Sequence, residues 1–141
     1  MRPTLAMLLA LAAGAAGAQA VPVVQLQAGM HLIRAEVAAD FASRAQGLMY
    51  RSAMPSNAGM LFIFDEASAQ CMWMKNTLIP LSVAFIDEHG AVINIEDMAP
   101  QTEDSHCARK PARYALEMNR GWFAARGIKP GSRIGGIPGA N

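Results

Sequence analysis

Two strand-like runs, Leu81–Ile86 and residues 91–96, face each other across Asp87-Glu88-His89-Gly90, and this hairpin most constrains what the chain can fold into. The four residues between the arms are turn-formers, and Gly90 is free to take the positive φ of a tight reversal. A hairpin alone is barely stable in water and needs further strands or a helix against its apolar side. Residues 23–27 and 32–37 supply a second one. They flank Ala28-Gly29-Met30, and Ile33, Ala35 and Val37 alternate with Arg34 and Glu36, the period of a half-buried strand. Phe62, Phe64, Trp73, Phe85, Ile93 and Ile95 stand in short runs of strand-favouring residues and form the expected core.

Two segments carry helical spacing. Asp40 can cap a helix over about residues 40–51, in which Phe41, Ala45, Leu48 and Met49 recur on one face. Arg44, Gly47 and Arg51 fall on another face, and Gly47, at a cost of about 1 kcal/mol against Ala inside a helix, marks a close packing contact. A second short helix is expected over about 119–126, ended by Gly127, with Trp122 and Phe123 turned to the core.

Residues 1–20 have the form of a secretory signal peptide: Arg2, an apolar Ala/Leu run, then Ala18-Gln19-Ala20 as a small-x-small cleavage site. The remaining residues, 21–141, make one domain with its core over about 24–136. No later apolar run reaches the roughly 18 residues of a membrane-spanning helix, so the expectation is an exported protein, periplasmic or secreted, with no span after cleavage.

Without Arg2 the chain carries 11 basic and 11 acidic residues, a balance that argues against nucleic acid as a partner. The charges are segregated. Asp87, Glu88, Glu96, Asp97, Glu103 and Asp104 precede Arg109, Lys110, Arg113, Arg120, Arg126, Lys129 and Arg133, and among the latter stands a single acid, Glu117. Mutual neutralisation in the fold is the simpler reading, and a basic docking surface in the C-terminal third is the alternative.

Three longer motifs carry more information: Arg44-Ala45-Gln46-Gly47-Leu48-Met49-Tyr50-Arg51, Gly59-Met60-Leu61-Phe62-Ile63-Phe64 and Trp73-Met74-Lys75-Asn76-Thr77-Leu78-Ile79-Pro80-Leu81. Together they resemble the small bacterial and archaeal domain of unknown function 192. The resemblance spans residues 24–136 and implies a mainly β domain, a compact sandwich or partly closed barrel with short helices, in agreement with the strands counted above. At Pro80-Leu81-Ser82 the chain departs from the Pro-Leu-Asp usual in that family.

Candidate site residues cluster around the Trp73 motif. Lys75, Asn76 and Thr77 present three polar side chains at a bend before Ile79-Pro80, beside the aromatic face of Trp73. Asn and Thr also stabilise such bends by bonding to their own backbone, and Lys75 can pair with Glu117. Arg44 and Arg51, if the helix packs near the bend, would complete a cationic pocket able to hold a carboxylate, a phosphate or a sugar.

Cys71 and Cys107 are the only cysteines, and export would favour a disulfide between them, whereas two separate buried thiols are the alternative. Met72 and Met74 fall on one face of an extended segment and offer soft thioethers to Cu(I), but methionine more often fills irregular core space. No metal site and no cofactor is expected, and no nucleotide loop or nucleophile elbow occurs. The expected function is non-catalytic binding of a small polar or anionic, sugar-like ligand or a cell-envelope component. A hydrolase or transferase acting on envelope carbohydrate and a protein interaction module are the alternatives.

Overall fold

The computed structural model describes residues 21–140, so the expected leader lies outside the described residues. The strands are β1 (Val23–Ala28), β2 (His31–Ala38), β3 (Ala58–Ser68), β4 (Cys71–Met72), β5 (Leu81–Ile86), β6 (Val92–Met98), β7 (His106–Cys107), β8 (Ala112–Asn119) and β9 (Ile134–Gly135). Two short helices, α1 (Phe41–Gln46) and α2 (Trp122–Ala125), follow β2 and β8. Seven strands form one sheet in the order β6-β5-β8-β3-β2-β1-β9, curled into a half-barrel, and β4 and β7 make a small second sheet.

Both hairpins form. In β5–β6 the register runs from Leu81 opposite Met98 to Ile86 opposite Val92, with a bulge after Phe85. Asp87 Oδ1 accepts from the His89 and Ala91 amides and Gly90 has φ +88°, so the turn residues act as their chemistry predicts. β1 and β2 pair through Gly29 at φ +58°.

The exception to antiparallel pairing is decisive for the site. β2 and β3 are parallel, so the chain between them has to cross over the sheet, and it carries α1 onto one face. That face holds Met60 and Phe62 of β3, Leu81, Val83 and Phe85 of β5 and Ala115 of β8, joined by Leu48 and Met74 from the connecting segments. The other face packs Leu26, Ile33, Leu61, Tyr114 and Leu116 against Trp122 and Phe123 of α2 and Ile134 of β9. With both faces covered, every residue of β5 is buried.

Both helices are shorter than their spacing predicts. α1 ends at Gln46 because Gly47 turns out of the helix at φ +48°, so Arg44 and Arg51 do not share a helical face. α2 starts after Gly121, whose φ of +82° breaks the chain's extension at the end of β8. Within the expected core, Phe62 and Phe85 are fully buried, and Phe64, Ile93 and Ile95 are half-buried. Trp73 is not core. It is 47% exposed because the strand ends at Met72 and the chain leaves the sheet.

The segregated charges meet, as the simpler reading of them expects. Arg109 lies 3.9 Å from Glu96 and Arg120 3.9 Å from Asp97, joining the basic stretch to the acidic one. Among the described residues no helix is long and apolar enough to cross a membrane.

Candidate binding cavity

Glu117 occupies the middle of β8, a central strand, with Met60 opposite it on β3 and Val83 opposite it on β5. Its side chain projects onto the face that carries Phe62, Phe85 and Ala115, and it is only 4% exposed. Among the described residues the carboxyl has no hydrogen-bond or ion-pair partner, and burial pushes its pKa up from 4.5 to about 8. At neutral pH it is therefore mainly a neutral acid that can donate one hydrogen bond and accept others.

The carboxyl borders a cavity of about 450 Å³ that opens to solvent. One wall is α1 and the turn after it, from Phe41 through Arg44, Gly47 and Leu48 to Met49. Phe62, Phe64, Asp65 and Glu66 of β3 make the second wall, and Gln70 to Trp73, with Lys75 and Thr77, make the third. The lining mixes apolar and aromatic side chains with eight polar or charged ones, Arg44, Gln46, Asp65, Glu66, Gln70, Lys75, Thr77 and Glu117, so it can meet a ligand with both apolar and polar surfaces.

Local sequence explains how each wall is held. Asp40 caps α1, its Oδ1 accepting from the Ser43 amide at 2.7 Å, and these bonds from Ser43 lower its pKa. Gly47 then lets the chain drop onto the cavity base, where a Cβ would lie 3.3 Å from Cζ of Phe62. Leu48 is buried by that turn, while Phe41 stays 82% exposed at the rim. Arg44 ties α1 to the sheet by donating to the Ala39 and Ile63 carbonyl oxygens at 2.7 and 3.0 Å, with Asp65 at 3.5 Å.

The bend following Trp73 is held largely by its own backbone. The Thr77 hydroxyl donates to the Lys75 carbonyl at 3.1 Å, and the Thr77 amide to that of Met74. Asn76 takes a left-handed φ of +53°, and its carbonyl accepts from the Tyr50 amide. Lys75 does not reach Glu117 as an ion pair; its Nζ lies 5.2 Å from the centre of the Trp73 ring. Cys71 and Cys107 are joined by a disulfide between β4 and β7, and Cys71 borders the cavity, so the bond braces the third wall.

Of the residues singled out from sequence, Arg44, Trp73, Lys75, Thr77 and Glu117 come together around this cavity. Arg51 and Asn76 are outside its lining. Arg51 makes a two-pronged ion pair with Glu36 of β2, a consequence of the turn at Gly47, and that pair raises its own pKa. Met72 borders the cavity and Met74 is fully buried, both in the apolar cluster, and no group of three potential His, Cys, Asp or Glu ligands occurs among the described residues. Ser82 points to the opposite face from Val83 and bridges Asp97 Oδ1, at 2.6 Å, to the Gly121 amide. Phe41, Leu48, Phe62, Phe64 and Gln70 were not singled out as site residues. The signal for them was the Gly47 break and the Phe62/Phe64 alternation, both legible only as packing.

With this geometry in place, residues 23–136 match the family called domain of unknown function 192, described as "Uncharacterized ACR". The chain belongs to this family. A crystal structure from Sinorhizobium meliloti 1021, provisionally described as a transcription regulator, is 38% identical at a TM-score of 0.79 and is aligned over 85% of this chain and 98% of its own. A second, from Novosphingobium aromaticivorans DSM 12444 and described as a protein of unknown function, is 34% identical at 0.75, over 84% of this chain and 93% of its own. The search of curated proteins returned no match. The domain of unknown function 192 fold is thus the scaffold on which Glu117 and its cavity sit.

Proposed function

We propose that the domain binds a small polar ligand with one apolar face, a sugar-like ring being the best fit, in the cavity above Glu117. The observation that carries this reading is Glu117 itself: a carboxyl 4% exposed, without a protein partner, bordering an open cavity. Burying such a group unpaired costs roughly 1–3 kcal/mol or more. A ligand that bonds to it recovers part of that cost. The exposed Trp73 ring and Phe41 offer stacking faces at the rim, and Thr77, Gln70 and Lys75 offer polar contacts around it. The leader-like residues 1–20 and the Cys71–Cys107 disulfide support a place in the periplasm or outside the cell, where envelope sugars are the ligands at hand.

The test is an amide NMR titration of the domain with glucose, N-acetylglucosamine and glucuronate. Binding at the cavity shifts Leu48, Phe62, Trp73, Thr77 and Glu117 together, and Trp73→Ala weakens it. Shifts absent for all three sugars, or spread over the β1–β2 side of the sheet, contradict the reading.

One observation favours a second reading, a carbohydrate hydrolase. A protonated Glu117 and the carboxylates of Asp65 and Glu66 border the same cavity, the acid-plus-base combination that glycoside cleavage uses. Release of nitrophenol from aryl glycosides by the wild type, lost in Glu117→Gln, would select this reading over simple binding.

A further inference from the structure

The protein spends both cations bordering the cavity on itself. The Arg44 guanidinium is taken by the Ala39 and Ile63 carbonyls and Asp65, and Lys75 sits over the Trp73 ring. Neither compensates Glu117, whose neighbours across the sheet, Met60 and Val83, are apolar. Phe62 stands diagonal to it across the β3–β8 pair, and Phe41, Phe64 and Trp73 continue the lining outward. A buried, unpaired acid with aromatic rings around it is the chemistry that holds an ammonium group: the carboxylate gives the counter-charge and the ring faces attract the cation.

We propose, resting on the cavity being the binding site, that its inner end receives a cationic amine which pairs with Glu117, so that the ligand is an amine-bearing ring or short chain. The charged groups around Glu117 are few. α1 contributes Arg44, β3 contributes Asp65 and Glu66, the segment after β4 contributes Lys75, and β5 places only apolar side chains on this face. Pairing requires the Glu117 carboxyl, mainly protonated below its raised pKa of about 8, to release its proton as the amine enters. The proton goes to solvent, about one per amine bound well below pH 8 and progressively fewer as the free carboxyl ionises. Affinity for an amine therefore increases with pH up to about 8 and then levels off, while a neutral ligand shows no such slope.

Cyclohexylamine, cyclohexanol and cyclohexanecarboxylate separate the possibilities, because they share one ring and differ in charge, and the amine stays protonated over this range as a lysine does. Amide NMR titrations at pH 6, 7 and 8 should show cyclohexylamine bound at the cavity most tightly, its affinity rising about ninefold from pH 6 to 7 and about fivefold from pH 7 to 8. In Glu117→Gln, whose fold is checked by the same spectra, the pH slope vanishes and the amine's advantage over cyclohexanol falls to near parity. Cyclohexanol binding the cavity as tightly as the amine overturns the amine assignment and leaves the cavity reading standing. Tighter binding of the carboxylate, or an amine affinity flat with pH in the wild type, overturns it as well. If none of the three moves the cavity resonances, the amine assignment falls, and the sugar titration decides the cavity reading separately.

Discussion

Gly59 of β3 and Met118 of β8 are register partners so close that a Cβ on Gly59 would collide with the Met118 sulfur and with the Glu117 carbonyl oxygen. The missing side chain lets the two central strands approach where Glu117 is held. Because one obstacle is backbone, a side-chain rotation cannot relieve the clash. Gly59→Ala should therefore destabilise the domain by roughly 1–3 kcal/mol, as overpacking in a core does. Urea unfolding checks it, and an unchanged midpoint would mean that the strands part without cost.

Cys71 and Cys107, 36 residues apart in sequence, tie the small β4–β7 sheet that forms one cavity wall. Their bond should contribute roughly 3–4 kcal/mol on a chain-entropy argument. Reduction should lower the melting temperature and weaken cavity binding more than the Cys71→Ser/Cys107→Ser pair disturbs the distant β1–β2 hairpin. Calorimetry with and without reductant reads the first, and amide exchange the second. A melting temperature indifferent to reductant would remove the brace from the account.

Trp73 and Phe85 should behave in opposite ways. Phe85 is fully buried, and Phe85→Ala should cost roughly 3–5 kcal/mol. Trp73 is about half exposed at the cavity rim, so Trp73→Ala should cost far less stability and act on binding instead. Unfolding free energies of the two variants compare them directly. Equal losses would mean that Trp73 serves packing, not recognition.

These particular residues mark how far the sequence could be read. The 81–96 hairpin and the Asp40 cap rest on local chemistry, turn residues and a side chain bonding a nearby amide, and local chemistry is visible in a linear string. Glu117 was visible as the one acid in a basic stretch and as a candidate partner for Lys75, a pairing that the fold does not make. What makes it unusual is Met60 and Val83 beside it, and those neighbours come from strand registers that span more than thirty residues. Arg51 was misplaced for a related reason. Helical spacing carried through Gly47, whose positive φ ends the helix and sends Arg51 to Glu36. For Trp73 the alternation was legible but its inward face was not: Trp73 was expected in the core, whereas Met74 turns inward and Trp73 outward to solvent, where the strand has already stopped at Met72.

Burial of Glu117 also sets a pH dependence. Below about 4.5 the carboxyl is protonated in the folded and unfolded chains alike and contributes nothing to the slope. Between about 4.5 and 8 the unfolded chain ionises while the folded one keeps its proton, so stability falls as pH rises, and above about 8 the loss levels off. One group can contribute at most about 1.4 kcal/mol per pH unit. Unfolding measured from pH 5 to 8 should show this slope in the wild type and its reduction in Glu117→Gln, which should be the more stable of the two at pH 8. Parallel curves would mean that Glu117 ionises freely in the folded protein.

The most direct measurement is the ionisation of Glu117 itself, followed by carbon-detected NMR of its side-chain carboxyl in the folded, ligand-free domain. A neutral, unpartnered carboxyl at the base of an open cavity should titrate near pH 8. Its pKa should fall when cyclohexylamine is present at saturating concentration, because the bound cation favours the charged form. A midpoint near the ordinary 4.5, unmoved by the amine, would contradict the account, since the carboxyl would then be solvated or paired and would need no ligand.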